Sequence, residues 1–321
     1  MAQSAETAES IPLYPRRRLV GSPFGGYASI RRGAGSDVAG SRPYQPGDHT
    51  HAIDWKASAR LSAASGGDEF IVRERFSEEL PRLVLVCDRR PTMALFPREL
   101  PWLHKPEAAR HTAELLVASA LNQRGLVGYL DYGSHDDESA AGTPFWQPPR
   151  AQASVWAGDL VEVVDEYLAG AFDAPPDSLD QALRFLAVVG GIVPTGSFVF
   201  VLSDFLVRPS PEAWSAAVNQ GWDVVPIVIQ DPLWEQSFPP LGNVVVPLTD
   251  AERERLLYVQ LTRREADARR LANEERLADL LAELVRFGLD PVVVSASGRN
   301  EIRQQLMAWA EQRFAQRGHR Q

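Results

Sequence analysis

The stretch that decides the fold is RLVLVCD, residues 82–88, in which a run of apolar residues ends in an aspartate. Leu83–Cys87 is apolar throughout, a pattern typical of a strand that is buried on both faces. A second run of this kind, FVFVLSD, occupies residues 198–204 and also ends in an aspartate. The sequence therefore predicts two buried strands, closed by Asp88 and Asp204.

Helical patterns separate these strands from one another. Pro106 begins a predicted helix with apolar residues at helical spacing, and Gly125 ends it. Thr262 and Glu265 form a capping box at the start of another helix. Further strands are predicted at residues 126–132, 223–229 and 291–295, a hairpin at 243–248 and 256–261, and further helices at 160–169, 179–189 and 301–316. Strands that alternate with helices predict an α/β fold with a mostly parallel sheet and helices on both faces.

The first 80 residues have a different composition from the rest of the chain. The N-terminus is rich in Ala, Ser and Glu and predicts a disordered tail over residues 1–18. Residues 19–80 are rich in glycine and turn-forming residues, and one alternating run at 70–76 predicts a half-exposed strand. We therefore expect a tail at 1–18, a small β-containing lobe at 19–80 and the α/β domain at 81–321.

The overall composition excludes several classes of protein. The chain of 321 residues has a net charge of −9, which argues against nonspecific nucleic-acid binding because a phosphate backbone attracts clustered Lys and Arg. Its one cysteine, Cys87, cannot form an intramolecular disulfide. No stretch approaches the roughly 18 consecutive apolar residues of a membrane span, and the N-terminus lacks the apolar core of a signal peptide. We expect a cytoplasmic protein that does not insert into membranes.

Three short motifs lie ahead of the first buried strand, and we call this set of residues the signature. It comprises RPYQPGD at residues 42–48, IDW at 53–55 and AR at 59–60. Placed before such a strand, it resembles the bacterial family called domain of unknown function 58, over about residues 18–317 of this chain. The residues that carry the signature are Arg42, Tyr44, Gly47, Asp48, Asp54, Trp55 and Arg60.

The resemblance implies both a fold and a type of partner. It implies a von Willebrand factor type A-like domain after the signature. It also implies a noncatalytic adaptor that works with a MoxR-type AAA+ ATPase in the assembly or maturation of protein complexes. Family members often carry membrane helices before the signature, and this chain is expected to be a shortened form without them.

The resemblance further implies a metal-ion-dependent adhesion site at the ends of the buried strands. Carried over residue by residue, Asp88 matches the first aspartate of that site and Thr92 matches its second serine. Ser178 matches the threonine of a second loop, and Asp204 matches the late aspartate. Ligands of open α/β sheets bind at the carboxyl ends of strands, where Asp88 and Asp204 are predicted. We expect this face to bind the partner.

Arg90 departs from the pattern of the adhesion site, because it stands where the first serine is expected. An arginine side chain has no acceptor lone pair and always carries charge. Arg90 could point away, or it could take the place of the cation and pair with Asp88 and Asp204. A degenerate site, a functional metal site and two unrelated loop aspartates all remain open. We expect no cofactor beyond a weakly bound Mg²⁺.

The sequence leaves three functions to compare. The first is a noncatalytic interaction protein, the second a metal-assisted hydrolase using Asp88 and Asp204, and the third a structural scaffold subunit. The signature also has more than one interpretation. It could hold the small lobe against the larger domain, form a surface for a partner, or take part in catalysis.

Overall fold

Two structural units make up the chain in a computed structural model. The model describes residues 10–16, 28–44, 53–67, 69–78, 82–95, 103–123, 125–135, 140–150, 170–189, 191–250 and 255–318. Arg16–Pro81 is one unit, which we call the small unit. Met1–Pro15 together with Arg82–Gln321 is the other, which we call the main unit. The prediction had placed the lobe at 19–80 and the larger domain at 81–321.

The small unit contains a two-stranded antiparallel sheet and one helix. Strand β1 is Ala28–Pro43, helix α1 is Trp55–Ser65 and strand β2 is Ile71–Glu78. Strand β2 confirms the strand predicted at 70–76. Sequence analysis missed β1, where glycines interrupt any alternation and the pairing with β2 has register shifts. It also missed α1, because only Ser58 of that helix is buried and no apolar stripe marks it.

The main unit is built around one six-stranded sheet. Its strands are β3 (Arg82–Cys87), β4 (Leu126–Asp131), β5 (Phe145–Arg150), β6 (Phe198–Ser203), β7 (Asp223–Ile229) and β10 (Val292–Val294). Their order is β10-β7-β6-β3-β4-β5, and every neighbouring pair is parallel except β4 and β5. The predicted mostly parallel α/β sheet is confirmed.

Helices cover both faces of this sheet. They are α2 (Lys105–Asn122), α3 (Ser178–Val188), α4 (Pro211–Asn219), α5 (Arg263–Arg286) and α6 (Arg299–Gly318), with a short 3₁₀ helix at Pro91–Ala94. Val84 and Val86 share one buried cluster with residues of α3, α4 and α5. Phe200 points to the opposite face and meets Trp309 of α6 at 5.9 Å between ring centroids. Both faces are therefore buried, as the continuous apolar strands predicted.

Four further predictions concern the elements between these strands. The hairpin is confirmed as β8 (Val244–Asp250) paired with β9 (Arg255–Leu261), and the capping box of Thr262 and Glu265 begins α5. Residues 133–150 were expected to be a loop or broken hairpin, and their end forms the antiparallel edge strand β5. The helix predicted at 160–169 lies outside the described residues. No helix in the described part is both long and apolar enough to cross a membrane.

The N-terminal residues correct one prediction. Residues 1–18 were expected to form a disordered tail, but Ile11 and Leu13 are only 0% and 1% exposed. The backbone N–H of Ile11 donates to Ser119 Oγ of α2 at 2.8 Å. The expectation is wrong for residues 10–15, because the alternating apolar residues after Ser10 can bury one side of an extended chain.

Candidate functional site

The two predicted aspartates lie side by side at the carboxyl edge of the sheet. Strands β3 and β6 are parallel neighbours, with Cys87 opposite Leu202, so Asp88 and Asp204 leave the same edge of the sheet. The chain continues from β3 towards β4 and from β6 towards β7, on opposite sides. Such a switch point is where open α/β sheets bind their ligands. Both aspartates are nevertheless buried.

Arg90 turns back onto Asp88. Its Nη2 lies 2.6 Å from Asp88 Oδ2, and its Nε lies 2.9 Å from each carboxylate oxygen. Asp88 Oδ2 also accepts from Ser203 Oγ at 2.6 Å. Arg90 Nη2 lies 4.0 Å from Asp204 Oδ1, at the limit of an ion pair. Burial lowers the pKa of Arg90, but the nearby carboxylates of Asp88, Asp204 and Asp180 together leave the pKa raised.

Lys105 is a second buried cation, and the sequence analysis missed it. Its ammonium donates to Asp204 Oδ2 at 2.9 Å, to the Thr92 carbonyl at 2.9 Å, and to Glu235 Oε1. Burial lowers the pKa of Lys105, but Asp204 and Glu235 leave it raised overall. A lysine in the first turn of α2 faces the positive end of the helix dipole. That unfavourable placement was the one signal in the sequence that this lysine has a specific partner.

Two carboxylates share the Lys105 ammonium, and their pKa values move apart. Burial raises the pKa of Asp204, but the charge of Lys105 and the Leu206 N–H outweigh it and hold the pKa low. Burial raises the pKa of Glu235, and the opposing attraction of Lys105 does not cancel that effect. We call Asp88, Arg90, Lys105, Ser203, Asp204 and Glu235 the Arg90 network.

The groups that surround the two aspartates do not suit a divalent metal ion. Both oxygens of Asp88 accept hydrogen bonds from Arg90, and the two oxygens of Asp204 accept from Leu206 N–H and Lys105. Mg²⁺ requires oxygen ligands in near-octahedral array and would be repelled by two adjacent cations. Within the described ranges, no group of three or more His, Cys, Asp or Glu side chains could hold a metal.

The other two predicted ligands do not join the aspartates through their hydroxyls. Thr92 contributes its backbone carbonyl, which accepts from Lys105. Ser178 is buried at the start of α3, and its hydroxyl has no hydrogen-bond partner among the described residues. The nearby carbonyl of Pro176 accepts from Arg90 Nη1 at 3.3 Å. The loop before α3 therefore reaches the Arg90 network through its backbone.

The neighbouring residue, Arg89, forms a separate buried ion pair. Its Nε lies 2.8 Å from Asp131 Oδ2 at the end of β4, with both side chains fully buried. Asp131 also accepts from Tyr129 Oη at 2.6 Å, and His135 Nε2 lies 2.8 Å from its Oδ1. A Cβ atom at Gly133 would lie 2.3 Å from Arg89 Cδ. We call Arg89 and Asp131 the Arg89 pair, which sequence analysis did not identify.

The described signature residues lie in the small unit and have local roles. Asp54 caps α1 by accepting from Ala57 N–H at 3.1 Å. Tyr44 and Trp55 each meet Phe70 edge-on, at 6.5 and 5.9 Å between ring centroids, and Trp55 is 62% exposed. Arg42 pairs with Val72 through β1 and β2, and Arg60 lies exposed on α1. Gly47 and Asp48 lie outside the described residues.

A known family model matches most of the chain. The family model described as "Protein of unknown function DUF58" matches residues 40–278, which is well over half of the sequence. The match includes the described signature residues, Asp88, Arg90 and Asp204. No curated protein matches the chain in sequence.

The solved structures that resemble this fold include three of low sequence identity. The conserved hypothetical protein BatB from Bacteroides thetaiotaomicron is 16% identical with a TM-score of 0.42, and the match covers 72% of this chain and 99% of BatB. An aerotolerance-related membrane protein from Bacteroides fragilis is 13% identical with a TM-score of 0.41, covering 70% and 98%. The pilus adhesin SpaC from Lactobacillus rhamnosus GG is 11% identical with a TM-score of 0.41, covering 73% and 30%. Identities this low transfer no function to the chain.

Proposed function

We propose, from the premise that this chain belongs to the DUF58 family, that it is a noncatalytic interaction protein of the cytoplasm. In this proposal the Arg90 network is a degenerate adhesion site in which internal cations stand in for a metal ion. The network holds the surrounding loops in one conformation, and these loops bind a protein partner. The class of partner, a MoxR-type AAA+ ATPase, rests on the family resemblance alone.

The proposal depends on one observation. The carboxylates of Asp88 and Asp204 accept hydrogen bonds from side chains of the same chain. A metal-assisted hydrolase needs carboxylates that are free to ligate the ion and an open coordination position for water. Asp88 and Asp204 instead bond Arg90, Ser203 and Lys105. Nothing in the site favours the hydrolase, and we therefore do not propose it.

The partner-facing surface differs from the face expected from the sequence. Asp88 and Asp204 are buried and cannot touch a partner directly. Residues 205–210 form a loop directly after Asp204, which we call the Val207 loop. The carbonyl of Val207 accepts from Arg90 Nη1 at 2.8 Å, while its side chain is 47% exposed. Arg90 thus connects the buried network to a surface that presents an apolar side chain.

The Val207 loop has one strained backbone angle, and ring packing and hydrogen bonds hold the loop in this conformation. Phe205 has a φ of +50°, which costs a bulky residue on the order of 1 kcal/mol or more. Its ring is buried 6.0 Å from that of Trp214, and its N–H donates to Ser203 Oγ at 2.9 Å. Arg208 Nη1 bonds Glu283 at 2.8 Å on the far side of the loop. Backbone strain that the surroundings enforce in this way is common at functional sites.

The proposal is tested by comparing two exposed valines. Val207→Asp places a charge on the proposed surface, whereas Val188→Asp places one at the end of α3, where Val188 is 86% exposed. We expect Val207→Asp to weaken binding to the purified MoxR-type ATPase of the same organism by tenfold or more, in the presence of ATP. Val188→Asp should bind like wild type.

Two results would contradict the proposal. Equal affinity of the Val207→Asp and Val188→Asp proteins would exclude the Val207 loop as the binding surface. No binding of the wild-type chain to the ATPase, together with a stable oligomer in light scattering, would favour the scaffold subunit instead.

A further inference from the structure

Residues 10–15 of the main unit, with the sequence SIPLYP, form an extended chain between α2 and α6. Ile11, Leu13 and Pro15 are buried, whereas the residues between them are only half-buried. This alternation is the pattern of an extended chain that inserts every second side chain into a groove. The segment is thus seated on the main unit by side-chain burial.

Both helices of the groove also bind the backbone of the segment. On the α2 side, Ile11 N–H donates to Ser119 Oγ at 2.8 Å. On the α6 side, Arg313 Nη1 donates to the Tyr14 carbonyl at 3.2 Å, and the Tyr14 ring lies 5.3 Å from that of Phe314. Backbone hydrogen bonds combined with pockets for alternate side chains are how proteins recognise extended peptides.

The composition of the segment lowers the cost of this binding. Pro12 and Pro15 have no backbone N–H that would need a partner in the groove. Their fixed φ angles also restrict the free segment to extended conformations, so less entropy is lost when it binds. The segment is therefore suited to bind as a short peptide and not only as a part of the fold.

The groove lies at the opposite edge of the sheet from the Arg90 network. Arg313 bonds both oxygens of Asp223, the first residue of β7, at 2.8 and 2.9 Å. It also pairs with Asp290, just before β10, at 3.1 Å. These residues mark the amino ends of parallel strands, whereas Asp88 and Asp204 follow the carboxyl ends. A ligand in the groove would leave the Val207 loop accessible.

We propose that the groove between α2 and α6 is a peptide-recognition site for an extended Ile-Pro-Leu-Tyr-Pro segment. Residues 11–15 occupy it as an intramolecular ligand, and the same sequence supplied by a second copy of the chain can replace them. This function is independent of the ATPase proposed above. Exchange of this segment between copies needs no new contacts, because each copy presents the same groove and the same ligand.

The first test uses the full-length chain and the synthetic peptide SIPLYPR. Amide hydrogen exchange at Ile11, whose N–H bonds Ser119 Oγ, is measured by NMR with and without millimolar peptide, since a tethered ligand has an effective concentration of about that order. We expect this amide to be protected at least tenfold relative to the free peptide. Added peptide should reduce that protection, and a peptide with aspartate in place of both Ile and Leu should not.

A pair of matched variants tests the contact with α2. Ser119→Ala removes the acceptor for Ile11 N–H and should reduce protection of that amide by about fivefold. Thr112→Ala is the control, because Thr112 and Ser119 both donate to a carbonyl one turn earlier in α2. Thr112 lies about two helical turns away from Ser119, and its variant should leave Ile11 exchange unchanged.

A third measurement uses the full-length chain with Leu13→Asp, which weakens the intramolecular ligand because Leu13 is buried. Fluorescein-labelled SIPLYPR should bind this variant saturably and at least tenfold more tightly than it binds wild type. Absence of saturable binding to the variant would overturn the proposal. So would an Ile11 amide of wild type that exchanges at the rate of the free peptide, or protection that millimolar peptide does not change.

Discussion

Arg89 and Arg90 are consecutive residues, both buried after the same strand, yet their surroundings differ. Arg89 pairs with Asp131, donates to the Ala171 carbonyl at 3.4 Å and is enclosed by backbone that approaches closely at Gly133. Arg90 belongs to a network with a second cation, and it bonds the carbonyls of Pro176 and Val207. Alternating side-chain directions after β3 send the two guanidinium groups to different sites. The comparison shows that adjacent arginines connect different segments: Arg89 joins the end of β4 to the loop before α3, whereas Arg90 joins that loop to the Val207 loop.

Removing Lys105 should have the largest effect on stability and would test the Arg90 network. Lys105→Met leaves Asp204 and Glu235 buried without their shared cation. Loss of one partner from a buried ion pair costs about 3–5 kcal/mol, and urea unfolding should show a loss of this size. The control is Arg184→Met, because the Arg184 side chain is 65% exposed and its pair with Asp180 spans 3.6 Å. That exposed pair is expected to contribute less than about 1 kcal/mol. Similar small losses for both variants would show that the network adds little to stability.

Crowding Arg89 should have a smaller effect and would test the Arg89 pair. In Gly133→Ala the new Cβ would lie 2.3 Å from Arg89 Cδ and 2.8 Å from the Ala171 carbonyl oxygen. Overpacking of this kind costs about 1–3 kcal/mol. Gly191→Ala is the matched control, since its Cβ would meet no atom within 4 Å. A Gly133→Ala protein as stable as the Gly191→Ala protein would mean that Arg89 can move aside freely.

The pH dependence of Glu235 should give the smallest effect and would refine the account of the network. Burial raises the folded-state pKa of Glu235 above its ordinary value of 4.5. Between these two pKa values the native state binds more protons than the unfolded state, so stability contributed by this group falls as pH rises. Glu235→Gln removes that titration.

The stability of wild type minus that of Glu235→Gln should therefore fall from about pH 4.5 upwards and level off above the folded pKa. The measurement is urea unfolding of both proteins across that range of pH. A difference that rises with pH would show that attraction to Lys105 outweighs burial. Asp204 has the opposite sign, since its lowered pKa gives stability that is lost as pH falls through that pKa.

The sheet and the position of its two aspartates could be predicted because local sequence determines them. A strand buried on both faces must be apolar at every position, and the residue that follows it must lie at the carboxyl edge. These patterns predicted β3 and β6 together with the positions of Asp88 and Asp204. The option that Arg90 turns onto Asp88 was also foreseeable, because an arginine two residues away can reach a carboxylate.

The parts that were missed depend on contacts between distant segments. Lys105 and Glu235 are 130 residues apart and meet only when α2 and the loop after β7 pack together. Arg89 looks like any charged loop residue until β4 brings Asp131 beside it. The alternation at residues 10–15 involves only three buried side chains, and their burial depends on a groove between α2 and α6.

The most direct test of the central claim is a calorimetric titration of the full-length chain with Mn²⁺ and Mg²⁺, alongside the Asp88→Ala variant. The claim is that Arg90 and Lys105 take the place that a metal ion has in a functional adhesion site. It predicts no saturable binding up to millimolar metal, for wild type and variant alike. One-site binding in the micromolar range that Asp88→Ala abolishes would contradict the claim. That result would support a metal-assisted hydrolase instead.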